Sequence, residues 1–148
     1  PGSDPTPVTD PGANRCLSFF SAPKQAVFGW WADLDPSAAG AQVSTFQPGT
    51  DRFVVEYSNV PSGPAVTPSY TVSFQIVLYQ NGDIQLNYLE TPAATAVALQ
   101  DARPQVTVGV QARAALFSNE ITCITQPTER GDWPQSQQSI RIKTGEIY

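Results

Sequence analysis

The chain reads as an all-β protein: a two-sheet antiparallel β-sandwich of about nine strands, with at most one short helix. Three observations predict it. The stretch Tyr70 to Tyr88 alternates apolar and polar residues on both sides of Asn81-Gly82, the mark of a β-hairpin with one face against a core. Similar short runs recur along the chain. Between them stand Pro- and Gly-rich connectors such as Gln47-Pro48-Gly49 and Pro61-Ser62-Gly63-Pro64, which are turn chemistry.

Parity defines the hairpin. Residues opposite each other in an antiparallel pair share a face. A two-residue loop would set Leu78 against Gln85 and Ile76 against Asn87. A three-residue loop, Gln80-Asn81-Gly82, instead pairs Leu78 with Ile84, Ile76 with Leu86 and Phe74 with Tyr88. The buried face sets register, so the second pairing is expected, with Gly82 in the left-handed conformation.

In chain order, residues 1–14 have the Pro/Gly/Ser/Thr composition of an extended arm or linker, and 15–148 form a single domain. The expected strands begin with Leu17 to Phe20. Val27 to Leu34 follows, with Phe28, Trp30, Ala32 and Leu34 on one face and Val27 and Trp31 on the other. Then come Gln42 to Phe46, Arg52 to Asn59, the hairpin within Ser69 to Glu90, Gln105 to Ala112, Asn119 to Thr125 and Gln138 to Lys143. Thr91 to Arg103 is either a short helix capped by Thr91 and started by Pro92 or an irregular loop. Phe53, Val55, Phe74, Ile76, Leu78, Ile84, Leu86, Val108 and Trp30 are expected to share one core.

Composition narrows function. Of 148 residues 14% are charged, and 8 Lys and Arg stand against 13 Asp and Glu for a net charge of −5. Nucleic acid and anionic membranes want clustered cations, so neither is an expected partner. No apolar run approaches the roughly 20 residues that span a bilayer. The chain contains no Met, so it reads as a processed or excised piece. With no His, no Ser-His-Asp or Cys-His arrangement exists. Nor is there a phosphate-cradling Gly-rich loop. No enzyme activity and no cofactor are expected.

Cys16 and Cys123 each sit in an apolar, strand-like setting. They read as a disulfide joining the first strand to a late one, or as two buried thiols. A bridge implies an oxidising, extracellular compartment. Asp33 and Asp35 are candidates for a hard cation such as calcium; the plainer reading is a strand end and a turn beside Pro36. Trp31 and Trp133 are candidates for stacking on carbohydrate, against packing beneath a loop. Arg130-Gly131-Asp132 is an integrin-type tripeptide in a Pro-rich loop, or an accident of sequence.

Four blocks carry a resemblance: Trp30 to Asp35, Arg52 to Val60, Phe74 to Ile84 and Val106 to Gln111. In this order they resemble the β-sandwich accessory domains of bacterial and archaeal secreted proteins, of the type found downstream of subtilisin-like proteases and in large surface proteins. The resemblance implies secretion and a non-catalytic role.

The expected function is therefore an extracellular structural domain acting through protein contacts at a cell surface or in a filament-like assembly. Its partner is another protein or copies of itself. The alternative is a carbohydrate-binding module of a secreted hydrolase. For assembly, the tail Ser139 to Lys143 and then Ile147-Tyr148 reads in two ways. Either it completes its own domain, or Ile140, Ile142, Ile147 and Tyr148 dock on a neighbouring copy.

Overall fold

The computed structural model describes Leu17, residues 25–64, 69–93, 106–111 and 133–143, and the main chain of 118–124. Among these residues the strands are β1 (Ala26–Trp31), β2 (Gln42–Phe46), β3 (Arg52–Pro61), β4 (Thr71–Tyr79), β5 (Ile84–Glu90), β6 (Val106–Gln111), β7 (Ser118–Ile124) and β8 (Gln138–Ile142). They form two antiparallel sheets, β1-β6-β7 and β2-β3-β4-β5-β8. The expected first strand, Leu17 to Phe20, lies outside the described residues except for Leu17, which is fully buried. So does the expected helix beyond Ala93. The Thr91 hydroxyl donates to the Pro134 carbonyl at 3.0 Å.

The hairpin has the register that parity requires, Leu78 opposite Ile84, Ile76 opposite Leu86 and Phe74 opposite Tyr88. Tyr79 N donates to Asp83 O at 2.9 Å, and Gly82 N to Tyr79 O at 2.9 Å. Gly82 has φ 88°, a region that a Cβ disfavours. Gly82→Ala is therefore expected to cost roughly 1 kcal/mol, read as a lowered unfolding midpoint.

β1 departs from the expected alternation. Val27 pairs with Val110 and Phe28 with Gly109, but Trp31 pairs with Thr107, so the register shifts between Phe28 and Trp31. The bulge at Gly29-Trp30 resets parity. Val27 and Trp30 face the core, while Phe28 turns away and stacks on Trp31 at 4.7 Å. Grouping Phe28 with Trp30 is thus corrected. The bulge sits where β1 crosses β4. A Cβ built on Gly29 would lie 2.5 Å from the Phe74 ring. β3 also bulges, between Tyr57 and Val60, where Asn59 adopts φ 51°, a conformation that Asn tolerates. The Ser73 hydroxyl accepts its N–H at 3.0 Å.

The core is aromatic. Trp30 meets Tyr70, Tyr88 and Trp133 edge-on at centroid distances of 6.2, 6.4 and 5.1 Å. Val72, Leu86, Val106, Val108 and Ile142 complete it. The Tyr88 hydroxyl donates to Gly29 O at 2.8 Å, which ties β5 to β1 across the sandwich. Burial pushes the Tyr88 phenol far above its ordinary value. Tyr70 is also raised by burial, tempered by the Trp30 side chain. A tyrosine whose folded pKa is raised contributes stability that is whole below its unfolded pKa of about 10 and is lost as pH rises above it. Chemical denaturation between pH 8 and 11.5 is expected to show stability falling above about pH 10, less steeply for Tyr88→Phe.

Among the described residues the five-stranded sheet is wider than the sheet that faces it. β1 lies over β4, and no described strand stands above the inner face beyond it. Phe53 and Leu78, expected in the core, are each 37% exposed. Their side chains point inward as expected, but no strand stands above them among the described residues.

Candidate functional site

Two regions carry exposed chemistry. The first is a cleft of about 320 Å³ along β1, lined among others by Phe28, Trp31, Pro36, Tyr57, Phe74 and Ile76. Among the described residues β1 ends its sheet and no strand stands above the inner face of β2-β3.

The second is the hairpin end. Arg52 stands opposite Tyr79 in the β3-β4 ladder, so both project to the outer face. Arg141, on β8 two strands from β4, lies over the Tyr79 ring at 4.5 Å, and Arg52 lies at 5.5 Å from the same ring. Arg141 donates to Asp83 Oδ2 through Nη2 at 2.9 Å and Nε at 3.2 Å. Arg52 pairs with Asp51 at 3.1 Å. That hydrogen bond is the main reason the Asp51 carboxyl titrates below its ordinary value and the Arg52 guanidinium above. Phe46, 43% exposed, and Phe53 and Leu78 flank this corner on the two faces of the sheet. Aromatic residues beside arginine are the composition of protein-contact surfaces.

Beyond the buried Val54–Val77 pair, the outer face carries a polar ladder running strand to strand. Gln75 Nε2 donates to Glu56 at 2.5 Å, and Asn87 Nδ2 donates to Gln75 at 3.3 Å. Gln85 Nε2 donates to Asn87 at 2.7 Å and to Ser139 at 2.8 Å. The Tyr79 hydroxyl closes the row on Gln85 at 3.0 Å. Outward-facing residues repeat every second position on each strand, so they fall in line once the register is set.

The residues singled out in the sequence are scattered. Trp133 is buried, edge-on to Trp30, and its indole N–H donates to Pro92 O at 2.9 Å. It therefore offers no open ring for a ligand. Trp31 is half-buried and lines the cleft with one face on Phe28. Asp33 accepts the Gly63 N–H through its main-chain oxygen at 2.8 Å. Asp35 Oδ1 accepts from the Ser37 hydroxyl at 2.6 Å and the Ser37 N–H at 3.0 Å. These bonds shape the turn after Pro36 and hold the Asp35 carboxyl below its usual range. Among the described residues no group of three or more His, Cys, Asp or Glu is placed to hold a metal.

Ile140 and Ile142 pair with Leu86 and Ile84 in their own sheet, and Ile142 is buried in its own core. This corrects the reading in which they fill a neighbour's pockets: their burial completes the domain. Ile147, Tyr148, Cys16 and Arg130-Gly131-Asp132 lie outside the described residues, as does the side chain of Cys123. The sequence reading missed the Arg52-Tyr79-Arg141 corner. Its signal was there in part, since Arg52 begins one expected strand and Tyr79 ends another.

A family model described as NIDO related matches residues 7–146. The chain belongs to the NIDO-related family. NIDO is an extracellular type of domain and generally not an enzyme. That agrees with the extracellular, non-catalytic character implied by the resemblance to secreted accessory domains. No curated protein and no solved structure matches the chain significantly. In this NIDO-related domain no helix among the described residues is long and apolar enough to cross a membrane.

Proposed function

We propose that this NIDO-related domain is an extracellular, non-catalytic interaction module that binds a protein partner through the hairpin end of its wider sheet. The observation that supports the reading is the set of exposed apolar side chains at the hairpin end, Phe46 on the outer face with Arg52, Tyr79 and Arg141, and Phe53 and Leu78 on the inner face. Exposed apolar side chains gathered next to arginines are suited to partner contact. A photoreactive phenylalanine analogue at position 53 of the full chain, displayed in its native extracellular setting, is expected to give one discrete protein adduct. The same analogue at exposed position 136 serves as the control. Equal labelling from both positions would end the reading.

Carriage of this domain within a larger secreted or surface protein, including the accessory position beside a protease, fits the reading. So does assembly into filaments. A Cys16–Cys123 bridge belongs to the same proposal, because the family is of extracellular type and oxidising compartments preserve disulfides. Titration of denatured, unreduced chain is expected to find no free thiol; two free thiols would exclude the bridge.

A second reading, carbohydrate binding, draws on the polar ladder from Glu56 to Tyr79, whose amide and hydroxyl groups are held flat and in line. Titration with neutral oligosaccharides, followed through Tyr79 and the ladder amides by nuclear magnetic resonance, is the test. Unmoved resonances would dismiss it.

A further inference from the structure

We infer that Asn81 is a site of self-modification: its side-chain amide closes onto the Gly82 nitrogen and is converted to aspartate or isoaspartate, at a rate set by opening of the hairpin loop. This goes beyond the protein-contact reading and does not depend on it.

The chain has 5 asparagines. Asn14, Asn59, Asn87 and Asn119 are followed by Arg, Val, Tyr and Glu, and Asn81 alone by Gly. Attack on a side-chain amide brings the next main-chain nitrogen onto Cγ, and a side chain on that next residue stands in the way. Gly82 has none, and its backbone crosses between conformations that other residues cannot reach. Asn81 and Gly82 are both exposed at the tip of the hairpin, so water reaches them. Asn87, by contrast, is half-buried within β5, with its amide donating to Gln75 at 3.3 Å.

The loop both prepares the amide and restrains it. Asp83 N donates to Asn81 Oδ1 at 3.1 Å, the local bond that Asn makes in turns. Negative charge develops on Oδ1 when the Gly82 nitrogen adds to Cγ, and a donor already placed there stabilises it. Against this, Gly82 N donates to Tyr79 O at 2.9 Å, and Gln80 N to Asp51 O at 2.8 Å. Arg141 grips Asp83 Oδ2 just past the loop. An exposed tip held by such bonds opens locally without unfolding of the domain, and each opening releases the Gly82 N–H.

Solvent hydroxide then takes the Gly82 N–H proton. The nitrogen bonds to Cγ, the Cγ–Nδ2 bond breaks, and Nδ2 leaves as ammonia, which gives a succinimide ring. Water adds to one of the two ring carbonyls. Breaking the new N–Cγ bond leaves aspartate; breaking the bond from Gly82 N to the main-chain carbonyl carbon of residue 81 leaves isoaspartate. Nothing is oxidised or reduced. Aspartate keeps an oxygen for the Asp83 N–H and adds a negative charge at the hairpin end. Isoaspartate adds a methylene to the main chain of a loop whose length fixes the β4-β5 register.

The test is incubation of the full chain at neutral and mildly alkaline pH, followed by peptide mass mapping and labelling with an isoaspartyl methyltransferase. Asn81 is expected to account for nearly all amide loss and all methyl-accepting product, at a rate that rises with pH. Asn81→Gln is expected to abolish the signal, and Asn81→Asp supplies the reference for the aspartate product. Arg141→Gln removes an exposed pair of the kind that contributes little to global stability. It is expected to speed the reaction severalfold in a chain that melts normally, and urea is expected to speed it further. Asn81 left intact after weeks at mildly alkaline pH would overturn the inference. So would amide loss spread evenly over the asparagines, or a rate at Asn81 that neither Arg141→Gln nor urea changes.

Discussion

Trp30→Ala is expected to cost about 3–5 kcal/mol, the range for removing a large aromatic from a packed core. Trp30 is 4% exposed and is the residue on which Tyr70, Tyr88 and Trp133 converge, each edge-on. Its loss leaves a cavity bounded by three rings held by separate elements, and no single shift closes it. Tyr88 is also fixed by its bond to Gly29 O, and Trp133 by its bond to Pro92 O. Trp31→Ala is the informative contrast. Trp31 lies one residue on but faces out of the core, stacked on Phe28, so its removal is expected to cost well under half as much. Urea unfolding of both variants, followed by far-ultraviolet circular dichroism, makes the comparison. Equal costs would mean that the bulge in β1 is misplaced and that both indoles share the core.

Gly29→Ala is expected to be the most damaging small substitution, at about 1–3 kcal/mol or more from overpacking. The new methyl group would sit 2.5 Å from Phe74 Cε2, 2.9 Å from Cδ2 and 3.0 Å from Ile76 Cγ1. Phe74 cannot simply swing away, because its ring is stacked on Tyr57 at 4.5 Å and lies 6.2 Å from Tyr88. Relief requires β1 to lift from β4, which would lengthen the Tyr88–Gly29 hydrogen bond. Phe74→Leu in the same chain is expected to restore part of the loss, since it removes the atoms in conflict. A Gly29→Ala variant that unfolds with wild-type stability would show that β1 does not approach β4 this closely.

Strand positions and the hairpin were legible in the sequence. Gln42–Phe46 is the strand that alternation marks out, and the Tyr70–Tyr88 hairpin has the register that apolar pairing demands. Within a strand the inward and outward faces follow from a period of two, and cross-strand pairing matches like with like. Gly82 belongs to the same class, because a three-residue loop fixes where a left-handed residue must fall.

Other features came from contacts between distant segments. The β1 bulge exists because Gly29 passes against Phe74 and Ile76 of β4, and no pattern inside β1 records its neighbour across the core. Phe53 and Leu78 have the alternation of core residues yet remain partly exposed. Alternation says which face of a sheet is apolar, not how far the opposing sheet extends. Trp31 and Trp133 looked equally available in sequence, but packing gave one to the cleft and the other to the core. The tail Ser139 to Lys143 suited its own sheet and a neighbour's equally well; β5 offered an open edge in the same chain, and intramolecular pairing there buried Ile142. By itself, then, the sequence determined strand placement, hairpin register and an acidic, histidine-free chain, because these depend on local spacing and composition. Only the tertiary structure decided which apolar residues stay exposed and that Arg52, Tyr79 and Arg141 meet, because sheet width and strand order are set by contacts far apart in the chain.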